Sequence, residues 1–272
     1  MIENISKILK KKVIHGKDIG LLFPGWNNEE CVVVVGAHDD DPLIGAGLLI
    51  HELRLLGTKV YVLIVTDGRK GYCKTELKGR IVSIRKKETE EAYAYIGIDN
   101  DHIIRFDLPD SALFEYAYKW ETEENKDDGL IYMLIKTFRK IRATRFILPN
   151  ENDFHLAHQA VFHASLYSAI QASQRLYPDV GEPINLKSVM RCGVWSPFKN
   201  NPSHGFKSSE EAFQRKMNGL FCYKSQEQID KIIAGLKERG PFEYFQEYLL
   251  EGFPADKYNK YFWEPIKNEQ RK

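Results

Sequence analysis

Six residues carry the chemistry that most needs explaining. They are His38, Asp39, Asp40 and Asp41 in "VVVVGAHDDDPLIGAG", and His155 and His158 in "DFHLAHQAV". Two imidazoles and a carboxylate, from His38, His158 and Asp41, make a three-ligand set. With a water in the fourth position, such a set suits catalytic zinc, and the same set also serves non-haem Fe(II). Asp40 then stands beside the ligands, able to take a proton from a water whose pKa the metal lowers toward ~7. His155 and His158 are three apart, so at the start of a helix they share a face. One can bind metal while the other faces a substrate oxygen. Each residue alone has a plainer reading: a strand-end histidine is usually structural, and "DDD" complements a helix dipole. Asp39 has two readings, a solvated turn residue or an added negative charge beside the metal that tightens its binding or serves an altered substrate. Together, the others read as a metal site.

These residues meet only if the elements around them converge. "CVVVVGA" reads as a buried strand bounded by Gly36, and "LIGAGLLIHELRLLG" as a helix capped near Gly57. "KVYVLIVTDG" is a second strand, "IVSIRKKETEEAYAYIGI" a helix, and "DHIIRFDLPD" a third strand. "DDGLIYMLIKTFRKIRA" is a helix with Asp127 or Asp128 as N-cap, "TRFILPNEND" a fourth strand, and "HLAHQAVFHASLYSAIQASQRLY" a long helix. Near-continuous apolar strands alternating with helices predict an α/β fold. Its Rossmann-like, mostly parallel sheet carries helices on both faces. Ligands in such sheets bind beyond the carboxyl ends of the strands, and His38–Asp41, Asp67, Asp110 and His155–His158 all fall there. Residues 1–30 are expected to be peripheral with a short amphipathic helix, "SVMRCGVWSPF" another strand, and 208–250 two or three helices. The expectation is a single domain over 1–272, with a core at 31–226 and a helical C-terminal extension at 227–272.

Bulk properties narrow the function class. Apolar residues make up 43% and charged residues 28% of the 272, with net charge +1. That balance gives no electrostatic reason to expect nucleic acid or an anionic membrane as partner. No stretch approaches the ~18 apolar residues of a membrane span, and the N-terminus lacks the apolar core of a signal peptide. Cys31, Cys73, Cys192 and Cys222 are scattered, without a CxxC pair. The expectation is a cytoplasmic protein with reduced thiols that acts on a small molecule.

The motifs also carry a family resemblance. "GAHDDDPLIGAG" resembles the AHPDDE-type motif of the PIG-L/LmbE-like deacetylases, and "DFHLAHQAV" their DxHxDHxxV. "TDGRKG" is similar to TDGExG, "IRKKETEEAYAYIG" to RxxExxxAxxxLG, and "KMNGLFCYKSQ" to KxxxLxxHxSQ. The resemblance spans about 31–226 and implies a zinc-dependent N-deacetylase that removes acetyl from an N-acetylglucosamine-type sugar or glycoconjugate. Residue by residue it implies metal ligation by His38, Asp41 and His158, and a general base at Asp40. It makes His155 the group that polarises the carbonyl and stabilises the oxyanion, and it implies substrate contacts from Arg85 and Asp110. Apart from the resemblance, Asp67 in "TDG" reads as a turn residue or as a support behind the ligands, and Asp153 as such a support. Four departures stand out: Asp39 for the family proline, Pro42 for glutamate, Ala157 for the aspartate before the last histidine, and Tyr223 for histidine. Asp153 is a candidate to replace the carboxylate missing at 157 as partner of His155.

Two other functions compete. One is a magnesium-dependent phosphatase of the haloacid dehalogenase type, because Asp39 and Asp41 have DxD spacing; Leu43 then stands where Thr or Val is needed, and the histidines are idle. The other is a non-catalytic member that binds sugar or metal without turnover. The aromatic tail "PFEYFQEYLLEGFPADKYNKYFWEP" could cover the sheet, line the pocket or form the subunit interface of a homo-oligomer.

Overall fold

A computed structural model describes residues 1–9, 12–27, 29–121 and 129–250. The predicted N-caps Asp127 and Asp128 and most of the aromatic tail lie outside these residues. In chain order the elements are β1 (Asn4–Leu9), β2 (Lys12–Gly16), β3 (Cys31–Gly36), α1 (Asp41–Leu55), β4 (Lys59–Thr66), α2 (Ile81–Ala94), β5 (Ile103–Leu108), α3 (Leu130–Lys140), β6 (Arg145–Pro149), α4 (Leu156–Ala172), β7 (Ser188–Cys192), β8 (His204–Lys207), α5 (Glu210–Leu220), α6 (Ile229–Arg239) and β9 (Phe242–Tyr248).

The four valines of β3 build both sides of the molecule. Side chains alternate along a strand, so Val32 and Val34 enter a core shared with α1, α5 and α6. Val33 and Val35 enter a second core shared with α3 and α4. A strand buried on both faces has no polar face, which is why its sequence shows no alternation.

The sheet has nine strands in the order β2-β1-β8-β9-β7-β6-β3-β4-β5. The α/β class follows the expectation, but the sheet is mixed. β3 pairs in parallel with β4 and β6, β4 with β5, and β6 with β7. Beyond β7 the pairings are antiparallel. β1 and β2 are strands where a short helix was expected, β9 adds a strand where a helix was expected, and β8 adds one just before that region, where no element was assigned. The extension at 227–272 is therefore not wholly helical: α6 is followed by β9, which lies inside the sheet between β7 and β8. These strands are short and half-exposed, so their periodicity is weak.

The chain runs from β3 outward through β4 to β5, then crosses to β6 on the other side of β3. The crevice beyond the carboxyl ends of β3 and β6 is thus the topological switch point. Helix α1 begins there and bends at once. Ala46, between Gly45 and Gly47, has φ −144° and ψ 16°, a break typical of glycine-flanked positions. Behind the break, Glu243 of β9 accepts the N–H groups of Leu48 (2.8 Å) and Leu49 (3.0 Å), which would otherwise lack partners. Lys216 of α5 completes the arrangement, donating to Glu243 (2.7 Å) and to the carbonyl of Ile44 (2.7 Å).

Candidate active site

The loop after β3 and the loop after β6 bring three atoms together. His158 Nε2 lies 3.1 Å from Asp41 Oδ2, and His38 Nδ1 lies 3.4 Å from the same oxygen. The two ring nitrogens are 3.3 Å apart. Four-coordinate zinc with bonds of 2.0–2.1 Å has ligand atoms about 3.3 Å apart along each tetrahedral edge. The spacing fits a divalent cation, and the valences support it: Asp41 Oδ1 is buried without a hydrogen-bond partner. A looser triad, with ligand atoms within 4.8 Å of one another, joins His38 and His158 to His155. The tighter triangle makes Asp41 the better third ligand, leaving His155 facing the cleft.

Carboxylates stand behind the ligand rings. Asp110 Oδ1 is 3.3 Å from His38 Nε2, and Asp153 Oδ2 is 3.2 Å from His158 Nδ1, though off the axis of a hydrogen bond. A carboxylate on the far nitrogen fixes a ligand ring's tautomer and orientation. Burial opposes charge on both histidines, yet Asp41 and Asp110 push His38 up to about 10. Asp41 and Asp153 likewise push His158 up to about 9. Asp41, despite burial, is held well below the usual carboxylate range by the two imidazoliums. His155 moves the other way. Burial and the neighbouring positive rings lower it, which favours its neutral form, and its Nδ1 is buried without a partner.

Asp40 is raised above the ordinary carboxylate range, chiefly by burial, while the Arg85 guanidinium opposes the shift. Arg85 Nη2 donates to Asp40 Oδ1 (3.1 Å) and its Nε to Asp39 Oδ2 (2.8 Å). Asp39 is no solvated turn residue: it is fully buried. Its carboxylate also accepts Thr89 Oγ1 (3.0 Å) and Arg105 Nη1. Its carbonyl accepts the hydroxyls of Tyr93 (3.0 Å) and Tyr223 (2.9 Å). A buried carboxylate held on this many sides cannot act as a nucleophile, which removes the phosphatase reading. Gly68 closes over it. With φ +64°, and Asp39 Oδ2 and Arg85 Nε each 3.2 Å from where a Cβ would stand, the turn after β4 has little room for a side chain.

The remaining expected residues are placed as follows. Arg85 and Asp110 both line the cleft, but their charges are spent within the protein, Arg85 on Asp39 and Asp40, and Asp110 on His38. Asp67 accepts from Arg69 Nε (2.6 Å) and from the backbone N–H of Asp110 (3.3 Å), so it shapes the loop that presents Asp110. Asp153 does not replace the carboxylate missing at 157. Besides facing His158, it accepts the backbone N–H groups of His155 (3.0 Å) and Trp195 (3.1 Å), leaving the His155 ring unsupported.

The cleft encloses about 370 Å³. Its walls include Lys70, Phe154, Trp195, Gln226 and Gln228, none of which the sequence reading assigned. A signal existed for Gln226, which ends the "KMNGLFCYKSQ" motif. Glu88, from the α2 motif, accepts Ser225 N (2.8 Å) and Oγ (2.7 Å), and so pins Gln226 at the cleft. No helix among the described residues is long and apolar enough to cross a membrane.

Comparison with known proteins accords with this geometry. A diacetylchitobiose deacetylase of Thermococcus kodakarensis is 33% identical over 82 residues, 30% of this chain and 31% of that protein. The match thus spans about a third of that relative's length. The solved N,N'-diacetylchitobiose deacetylase of Pyrococcus horikoshii superimposes with a TM-score of 0.64 at 19% identity, covering 80% of this chain and 84% of that one. The 4-carboxy-2-hydroxymuconate hydratase of Pseudomonas putida KT2440 superimposes with 0.65 at 16% identity, covering 82% and 98%. At these identities the likeness is one of fold, and a fold shared by a deacetylase and a hydratase leaves the reaction to be argued from the site. The family model described as PIG-L, GlcNAc-PI de-N-acetylase, matches residues 33–169, which carry every candidate ligand, and the chain belongs to that family.

Proposed function

We propose that the protein is a metal-dependent N-deacetylase that hydrolyses the acetamide of an N-acetylated amino sugar, small molecule or glycoconjugate. The observation that carries this reading is the triangle of His38 Nδ1, His158 Nε2 and Asp41 Oδ2, with edges of 3.1–3.4 Å, beside Asp40 and His155 in one cleft. Zinc is the default ion for hydrolysis with this donor set, and Fe(II) is the alternative. When bound, the ion supplies a Lewis acid and lowers the pKa of water toward ~7.

The protein's own groups do the rest. Asp40, raised by burial and steadied by Arg85, accepts a proton from the attacking water. Neutral His155 donates its ring N–H to the oxygen on which negative charge develops. The proton on Asp40 then passes to the leaving nitrogen as the C–N bond breaks, giving acetate and a free amine. Asp110 and Asp153 hold the His38 and His158 rings in place throughout.

Elemental analysis of the purified protein, with acetate release from N-acetylglucosamine derivatives, tests this. The expected result is about one zinc or iron per chain, lost in His38→Ala. Asp40→Asn should keep the metal and lose at least ~100-fold in kcat. A metal-free protein that takes up no zinc would overturn the reading, as would near-normal turnover in Asp40→Asn. Metal uptake and sugar binding without acetate release would instead favour the non-catalytic reading.

A further inference from the structure

The cleft is small, and one of its walls is shared. Its 370 Å³ lies at the low end of the ~300–1,000 Å³ of small-ligand sites, suited to one sugar ring. Trp195 lines it, and the same Trp195 lines a larger groove of about 1100 Å³. That groove carries Phe198, Lys199, Asn201, Arg239 and Tyr244, and no acidic side chain lines it. Arg239 lies over the Tyr244 ring, 6.0 Å from its centroid. Gly45 and Gly193 contribute backbone without side chains to the lining, allowing close approach.

The wall between cleft and groove is firmly tied to the reactive segment. Trp195 N–H donates to Asp153 Oδ2 (3.1 Å), Phe154 N–H to Ser196 Oγ (3.0 Å), and the Asn150 amide to the Pro197 carbonyl (3.0 Å). The loop that borders the groove is therefore braced by the stretch that presents His155 and His158. A ligand spanning both compartments would meet one continuous surface, with Trp195 available for stacking against a ring.

We propose that this groove is a second substrate subsite. It takes an anionic appendage, phosphate ester or carboxylate, of the same molecule whose acetamide enters the cleft. Two cations without an acidic neighbour in the lining complement an anion and give selectivity among otherwise similar sugars. Lys70 adds a third cation, in the wall of the cleft itself. The inference rests on the deacetylase reading for the placement of the acetamide.

Binding and turnover separate the two ideas. Calorimetry on metal-free protein compares N-acetylglucosamine with UDP-N-acetylglucosamine, which carries phosphate, and N-acetylmuramic acid, which carries carboxylate. At least one anionic sugar should bind about ten-fold tighter than the neutral one. That advantage should shrink in about 0.5 M salt and disappear in the double variant Lys199→Gln/Arg239→Gln. Which anion is preferred identifies the appendage. Equal or undetectable binding of all three sugars, or a preference that survives in the double variant, would overturn the subsite. Acetate release by the zinc-loaded protein is measured beside it. Release from the neutral sugar without any anionic preference leaves the deacetylase reading intact and removes the subsite. An anionic preference that Lys199 and Arg239 control, with no acetate from any sugar, does the reverse.

Discussion

Among the site residues, Asp39 changed most between sequence and structure. In a run of three aspartates nothing distinguishes one from the next, because composition does not say which carboxylate turns inward. The structure separates them by partner: Asp41 to the histidines, Asp40 to the cleft, and Asp39 to Arg85, Arg105 and Thr89. The matching cation, Arg105, lies 66 residues away on β5, so no local pattern could reveal it. Removing one partner of a buried pair leaves the other uncompensated, at a cost of about 3 kcal/mol. Asp39→Asn should therefore lower stability by that order in denaturant unfolding, and Asp39→Asn/Arg105→Met should recover part of it. An Asp39→Asn protein as stable as the wild type would show that the network carries no such role. The substitution at 157 leaves a different mark. The His155 ring has an unpartnered Nδ1, so nothing fixes its orientation from behind. Ala157→Asp should raise kcat several-fold with little change in KM, since an oriented donor acts on the transition state. Unchanged or reduced kcat would show that the ring is held well enough already.

At the scale of elements, the parallel half was legible and the antiparallel half was not, for one physical reason. β3, β4 and β6 are buried on both faces and read as apolar runs, and the helices between them show clear periodicity. β1, β2 and β9 are half-exposed, with mixed side chains, and β9 takes its place only through pairing with β7 and β8. β9 nonetheless matters to the site, because its Glu243 caps the second segment of the broken α1, whose first residue is Asp41. Lys216 belongs to the "KMNGLFCYKSQ" motif, and its buried ammonium is deprotonated more readily than usual because burial disfavours its charge. Glu243→Gln would leave that ammonium without a counter-ion and weaken the hydrogen bonds donated by the Leu48 and Leu49 N–H groups. A loss of about 3 kcal/mol is expected, together with weaker metal binding as α1 shifts. Lys216→Met should cost less, because Glu243 keeps both backbone donors. The reverse order, read from denaturant midpoints, would show that the ion pair and not the helix cap is the dominant contribution.

At the scale of the whole molecule, the ligands arrive from two loops on opposite sides of the switch point, His38 and Asp41 after β3 and His158 after β6. A cation bound there joins the two halves of the sheet edge, and any ligand that binds only the folded state stabilises it. Protons compete for the same atoms. In the metal-free protein His38 and His158 are pushed up to about 10 and about 9. Their protonated forms then add stability that is fully present below the ordinary histidine value and is lost as pH rises through 9 to 10. Metal binding needs both rings neutral, so uptake near pH 7.5 should release about two protons and strengthen by up to ~100-fold per pH unit. The two forms therefore have opposite trends. The Tm of the metal-free protein should fall as pH rises from about 6.5 toward 9, whereas the increment on adding zinc should grow over the same range. Calorimetry in buffers of different ionisation enthalpy counts the protons, and thermal unfolding with and without chelator measures the increment. A zinc-induced increment independent of pH would mean that the ion binds elsewhere, or that the two histidines are already neutral when it arrives.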